Sequence, residues 1–133
     1  MLTEIRKISS LLLSVAFSSI GFIASITVTV LAAREVSSNP LFVGFPNAVG
    51  VGGAVLGTRM IYLISKSNSQ LNALAFTFLI GAFGGAIMFY SLIIDSFVIL
   101  LLGAFILGIG QSATLQTRYA ASFVAGAKFK ATA

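Results

Sequence analysis

The sequence predicts an all-α, polytopic membrane protein: a single domain of four transmembrane helices with both termini in the cytoplasm. Three observations carry that prediction. Of 133 residues, 58% are hydrophobic and 8% charged, with a mean hydropathy of +1.07, whereas a soluble domain carries roughly a quarter charged residues. The chain contains four long apolar runs, about residues 8–33, 41–64, 71–94 and 97–122, each longer than the roughly 20 residues a helix needs to cross the hydrocarbon. The positive charges between these runs are distributed unequally, which sets an orientation.

The first run follows Arg6-Lys7 and holds no charge from Ile8 to Ala33. A secretory signal has the same basic start, but its apolar region is usually about 7 to 15 residues. The expectation is therefore an uncleaved first helix. Ser14, Ser18, Gly21, Ser25 and Thr29 recur at spacings of four, three, four and four, which places them on one helical face. Such a small, polar face either packs closely on another helix or lines a cavity, and the packing rule favours the first.

Arg34 to Pro40, REVSSNP, is a polar turn whose proline suits the first turn of the next helix. The second run is rich in glycine, with Gly44, Gly50, Gly52, Gly53 and Gly57. Gly53 and Gly57 form a small-xxx-small pair that admits a neighbouring backbone. Pro46 stands near the start, where a missing N–H matters least. Arg59 lies about 27 Å along the helix from Leu41, near the opposite interface, where it either snorkels or takes part in a gate. The hydrophilic turn SKSNSQ, residues 65–70, leads to a third run marked by Gly81, Gly84 and Gly85, again glycines suited to close contact. Asp95-Ser96 is so short a link that the third and fourth helices must form an antiparallel hairpin. In the fourth helix Gly103, Gly108 and Gly110 read as packing positions. Gln111, Thr114, Arg118 and Ser122 follow at spacings of three, four and four on a common face. Polar groups sharing a face in a membrane look toward a bundle interior or a cavity. The tail AKFKATA reads as basic and frayed.

With four spans, the N-terminus, the 65–70 turn and the tail share one side. That side holds Arg6, Lys7, Lys66, Lys128 and Lys130, with Arg59 and Arg118 at its edge; the other side holds Arg34 alone. The positive-inside rule assigns the richer side to the cytoplasm.

The chemistry available is narrow. There is no cysteine or histidine, and the three acids, Glu4, Glu35 and Asp95, lie outside the apolar runs. Disulfides, thiolate metal sites and nearly every general base are thereby excluded, so the composition argues against an enzyme and calls for no metal or cofactor. The net charge of +5 is scattered between the runs rather than clustered, which argues against a nucleic-acid partner. The lipid bilayer is the partner the composition requires.

Several features together resemble the major facilitator superfamily of transporters. They are the basic N-terminus, the serine-bearing first helix, a second helix ending in Gly57-Thr58-Arg59, and Leu107-Gly108-Ile109-Gly110-Gln111 followed by Arg118-Tyr119-Ala120-Ala121. The resemblance implies the first four helices of a twelve-helix fold in a bacterial plasma membrane, moving an unidentified small molecule between two six-helix halves built of three-helix repeats. It implies Ser14, Ser18, Ser25, Gln111 and Thr114 beside a pathway, and Arg59 and Arg118 at a gate or interface. Gly53, Gly57, Gly81, Gly85, Gly108 and Gly110 would serve helix packing. The family's loop acid and its Gly-Arg-Arg end are absent from GTRMIYLISKSNSQ, and Ala104 stands where the family often has an arginine. The charge relay and proton coupling are therefore not carried over. Two other readings fit the composition. One is a membrane-embedded structural or accessory subunit held by a larger membrane partner. The other is a small four-helix multidrug-type transporter acting with a second copy, although that mechanism needs a carboxylate inside the first helix.

Overall fold

The computed structural model describes the backbone of residues 2–132, and the side chains of these except 2–4, 7, 8, 11, 14, 15, 71 and 120–132. Four helices account for nearly all of it: α1 (Leu2–Val36), α2 (Phe45–Ser67), α3 (Gln70–Ile94) and α4 (Phe97–Thr132). Among the described residues there is no strand, and four segments are long and apolar enough to cross a membrane: Ala16–Val36, Pro40–Ser67, Asn72–Ile94 and Phe97–Tyr119. Large apolar side chains such as Phe17, Val55, Phe83 and Val98 cover the outer surface. A soluble fold turns such groups inward, so this outward placement requires lipid as solvent. The chain is a multi-pass membrane protein.

The helix limits differ from the apolar runs at three places, each for a local reason. The second helix does not begin at Leu41. Asn39 caps a separate 3-10 turn, Pro40–Phe42, by accepting a hydrogen bond from the Leu41 N–H, and α2 starts after it with Pro46 in its first turn. Phe42 is pinned there by edge-on contacts with Phe45 and Phe97, with ring centroids 6.4 and 5.9 Å apart. At the other end α4 continues as helix to Thr132 where a frayed tail was expected; alanine and lysine are strong helix formers and no proline intervenes. Likewise α1 reaches back to Leu2.

The Asp95-Ser96 link is the tight hairpin the sequence requires. Asp95 takes the left-handed conformation (φ 52°, ψ 39°), and the Ser96 N–H donates to the Ser91 carbonyl at 3.2 Å. That is the helix-ending pattern in which one left-handed residue redirects the chain. Ser96 then accepts the Leu100 N–H and opens α4.

Helix α4 is the hub. It runs parallel to α2 and antiparallel to α3 and α1, and its contact with α2 and α3 is far more extensive than with α1. The glycines explain why. A Cβ on Gly108 would strike the Gly50 carbonyl oxygen, and one on Gly53 would strike that of Phe105. On the other side, a Cβ on Gly81 would stand 2.7 Å from Gly110 Cα, and one on Gly84 would meet the Leu107 backbone. In lipid there is no hydrophobic force between helices, so this backbone-to-backbone approach is what holds them. Two apolar clusters close the ends: Ala32, Ala33, Met88, Leu100 and Ala104 at one, and Ile61, Ala73 and Ala113 at the other. The buried hydroxyls fold back on their own helices, Thr77 donating to Ala73 O (2.8 Å), Ser91 to Met88 O and Ser112 to Ile109 O (both 2.6 Å). No buried side-chain nitrogen or oxygen among the described residues lacks a partner, as a lipid environment demands.

The glycines differ sharply in what they tolerate. Gly108→Ala is expected to lower stability by about 1–3 kcal/mol through overpacking. Gly52→Ala, which has nothing within 4 Å of the added carbon, is expected to be neutral or to stabilise by up to about 1 kcal/mol. Thermal unfolding of both variants in one detergent checks the contrast.

Candidate functional site

With two sides of α4 committed to α2 and α3, the sector carrying Gln111 faces α1. At 100° per residue Gln111 falls between the α2-facing Gly108 and the α3-facing Gly110. Its Nε2 donates to Ser25 Oγ at 2.9 Å. Ser25 Oγ in turn donates to Phe22 O at 2.8 Å, and Thr29 Oγ1 donates to Ser25 O at 2.7 Å. The pair lies deep. By the helical rise of about 1.5 Å per residue, Gln111 stands roughly 21 Å along α4 from Phe97, and Ser25 roughly 14 Å along α1 from Ala16. Both therefore sit in the middle part of their spans.

Around this bond α1 stands off from the bundle. A Cβ on Gly21 would meet nothing within 4 Å, so the small face of α1 is not a close-packed seam over that stretch. It walls a groove of about 290 Å³ between α1 and α3, floored by α4 and lined in part by Ser18, Ser25, Phe22, Phe78, Gln111 and Thr114. A second space of about 290 Å³ adjoins it, sharing Gly21, Ser25, Gly85 and Leu107 and running toward Ala32 and Met88. Among the described residues no ionisable side chain lines either space. The groove ends where α1 closes onto the bundle. Ala32 and Ala33 are buried against Leu100 and Ala104, and Thr29 Oγ1 lies 4.0 Å from Met88 Sδ.

The structure thus brings Ser18, Ser25, Gln111 and Thr114 together in one groove. Thr114 is 7% exposed, while Ser18 and Gln111 are partly buried. The side chains of Ser14 and Ser122 lie outside the described residues, as do those of Lys7, Lys128 and Lys130. Arg118 is exposed and lines neither space; Arg59 is exposed on the side of α2 opposite Gly57 and Ile61, the two residues turned to α4. The two arginines are not part of the groove. Of the glycines, Gly53, Gly57, Gly81, Gly108 and Gly110 meet backbone directly. Gly85 does not: the nearest atom to its Cβ position is Leu107 Cδ1 at 3.9 Å, and the tight contact falls on Gly84.

Phe22 and Phe78 are not singled out by the sequence. Apolar residues in an apolar helix carry no compositional signal. Phe22 could nonetheless have been found by position, since it lies three residues before Ser25 and four after Ser18 on the same face.

The chain is similar to two proteins of Bacillus subtilis (strain 168). It is 30% identical to the uncharacterized MFS-type transporter YdeG over 121 residues, which is 91% of this chain and 28% of that protein. It is also 30% identical to the uncharacterized MFS-type transporter YddS over 128 residues, 96% of this chain and 29% of that protein. The chain therefore spans under a third of the length of the curated relatives it matches. No family model matches, and no solved structure matches.

If the Gln111–Ser25 bond holds α1 in place, its two ends are energetically coupled. A double-mutant cycle on Ser25→Ala and Gln111→Leu, read from unfolding in detergent, is expected to give a coupling of about 0.5–1.7 kcal/mol. A coupling of zero would show that the bond contributes nothing net.

Proposed function

We propose that this chain forms the first four transmembrane helices of a major facilitator-type secondary transporter, and that the α1–α4 groove borders the path of a small molecule. One observation carries the reading: an uncharged groove at mid-depth, where Gln111 and Ser25 bridge the helices that tight packing leaves apart. The similarity to two MFS-type transporters over more than nine-tenths of the chain supports it. In such transporters the substrate site lies near the bilayer midplane between repeats, and the membrane depth of Gln111 is consistent with that. Ser18, Ser25, Gln111 and Thr114 then line the path in a bacterial plasma membrane. Arg118, about 31 Å along α4 from Phe97, stands at the cytoplasmic rim, where with Arg59 it would meet the parts of the transporter that close the path.

Two experiments test this. In the longest open reading frame that contains these residues, Gln111→Ala is expected to reduce transport at least about tenfold with unchanged membrane abundance, and Arg118→Ala to slow turnover while leaving apparent affinity within about twofold. Unchanged transport in both would sink the assignment. For orientation, the absence of cysteine in the chain allows clean single-site labelling. Ser38→Cys is expected to react with an impermeant maleimide on intact cells, and Ser67→Cys only after permeabilisation; the reverse pattern would place the termini outside.

A further inference from the structure

The hydrogen-bonding groups of the groove define what it accepts. Ser25 Oγ has given its one hydrogen to Phe22 O and receives Gln111 Nε2. Gln111 keeps one amide hydrogen and its carbonyl oxygen, a donor and an acceptor side by side on a flat group. Three residues further along α4, Thr114 is more than nine-tenths buried and lines the same groove. The walls beside it are aromatic and aliphatic, from Phe22, Phe78 and Leu107. Because no ionisable side chain among the described residues lines the groove, a carboxylate or ammonium entering it would lose its hydration with no counter-charge from them. The volume of about 290 Å³ is roughly twice that of an apolar cavity that holds benzene, so it suits a fused pair of rings.

We propose that this groove binds an uncharged, flat, two-ring-sized molecule with a hydrogen-bond donor and acceptor adjacent on one edge, as in a cyclic amide. Gln111 reads that edge, Thr114 supplies a further contact, and Ser25 is a positioning residue that holds the carboxamide. Calling this ligand a substrate rests on the transporter reading; the binding itself does not.

The test uses the 133-residue chain in lipid nanodiscs, with empty nanodiscs subtracted for partitioning, and three probes followed by ligand-observed NMR. They are 2-quinolone (a neutral bicyclic lactam), naphthalene (a ring pair of similar size with no polar edge) and 1-naphthoate (the same ring pair bearing a carboxylate). Saturable binding is expected for 2-quinolone and absent for 1-naphthoate. Gln111→Leu is expected to weaken 2-quinolone at least about tenfold while leaving naphthalene unchanged, and Ser25→Ala to weaken it about threefold. Equal affinity for 2-quinolone and naphthalene in the unmodified chain would overturn the proposal, as would undiminished 2-quinolone binding in Gln111→Leu. If that variant does not fold, the near-isosteric Thr114→Val decides: a loss of about threefold supports the proposal and an unchanged affinity overturns it. Gln111-dependent binding of 2-quinolone by a protein that transports nothing would support this site and overturn only the transporter reading.

Discussion

The close approach of α4 to two backbones at once is the constraint from which the rest of the arrangement follows. Gly108 against Gly50 and Gly110 against Gly81 place the axes so near that no side chain fits between them. Helices in lipid gain nothing from burying apolar surface against each other, because the lipid tails are equally apolar; they gain from dense van der Waals contact and from hydrogen bonds. The two glycines lie on different sides of α4, roughly 160° apart at 100° per residue, so one helix is clamped between two. This fixes α4 in rotation as well as position. Gln111 cannot turn toward lipid without breaking both seams, and the same two seams direct it at α1.

Helix α1 is attached by different means. At one end Ala32 and Ala33 are packed against Leu100 and Ala104; in the middle the hydrogen bond from Gln111 to Ser25 ties it to α4. Between and beyond them the groove intervenes. Interhelical hydrogen bonds in membranes contribute on average only about 0.6 kcal/mol, and at most about 1.7. The glycine seams rest on many backbone contacts and are stronger by comparison. Of the four helices, α1 therefore loses least by moving, and the Ala32–Ala33 contact is the natural pivot for such a motion.

Much of this was written plainly in the chain, and what was not has a physical explanation. The four spans were legible because run length against bilayer thickness is a one-dimensional property. The antiparallel pairing of α3 and α4 was legible because two residues leave no other geometry. The start of α2 was not, because Asn39 capping the Pro40–Phe42 turn is a local choice that apolarity does not encode. Glycine was legible as a class but not by partner. Gly50, Gly53 and Gly57 meet α4, yet Gly44 and Gly52 in the same stretch face open space, and Gly84 rather than Gly85 makes the tight contact. The small polar face of α1 was legible as a face, but whether it would be packed or open depended on what α4 had left over for it. The Gln111–Ser25 pairing joins positions 86 apart, which no local periodicity reveals.

The polar stripe that periodicity draws along α4 is two things in three dimensions. Gln111 and Thr114 belong to the groove, while Arg118, one turn further, is exposed and lines none of it. The division is electrostatic as much as geometric. A guanidinium at the depth of Gln111 would need a buried carboxylate or water to offset its desolvation, and the chain's three acids, Glu4, Glu35 and Asp95, stand at the ends of the spans or outside them. Ala104, two turns before Gln111, keeps that position facing α1 apolar and lets Ala32 and Ala33 close against it. A charge there would hold that end open and deprive α1 of its pivot. Neutrality in the groove and closure at its end are thus consequences of the same small residues. Any selectivity the groove has must come from hydrogen-bond geometry and shape rather than from charge.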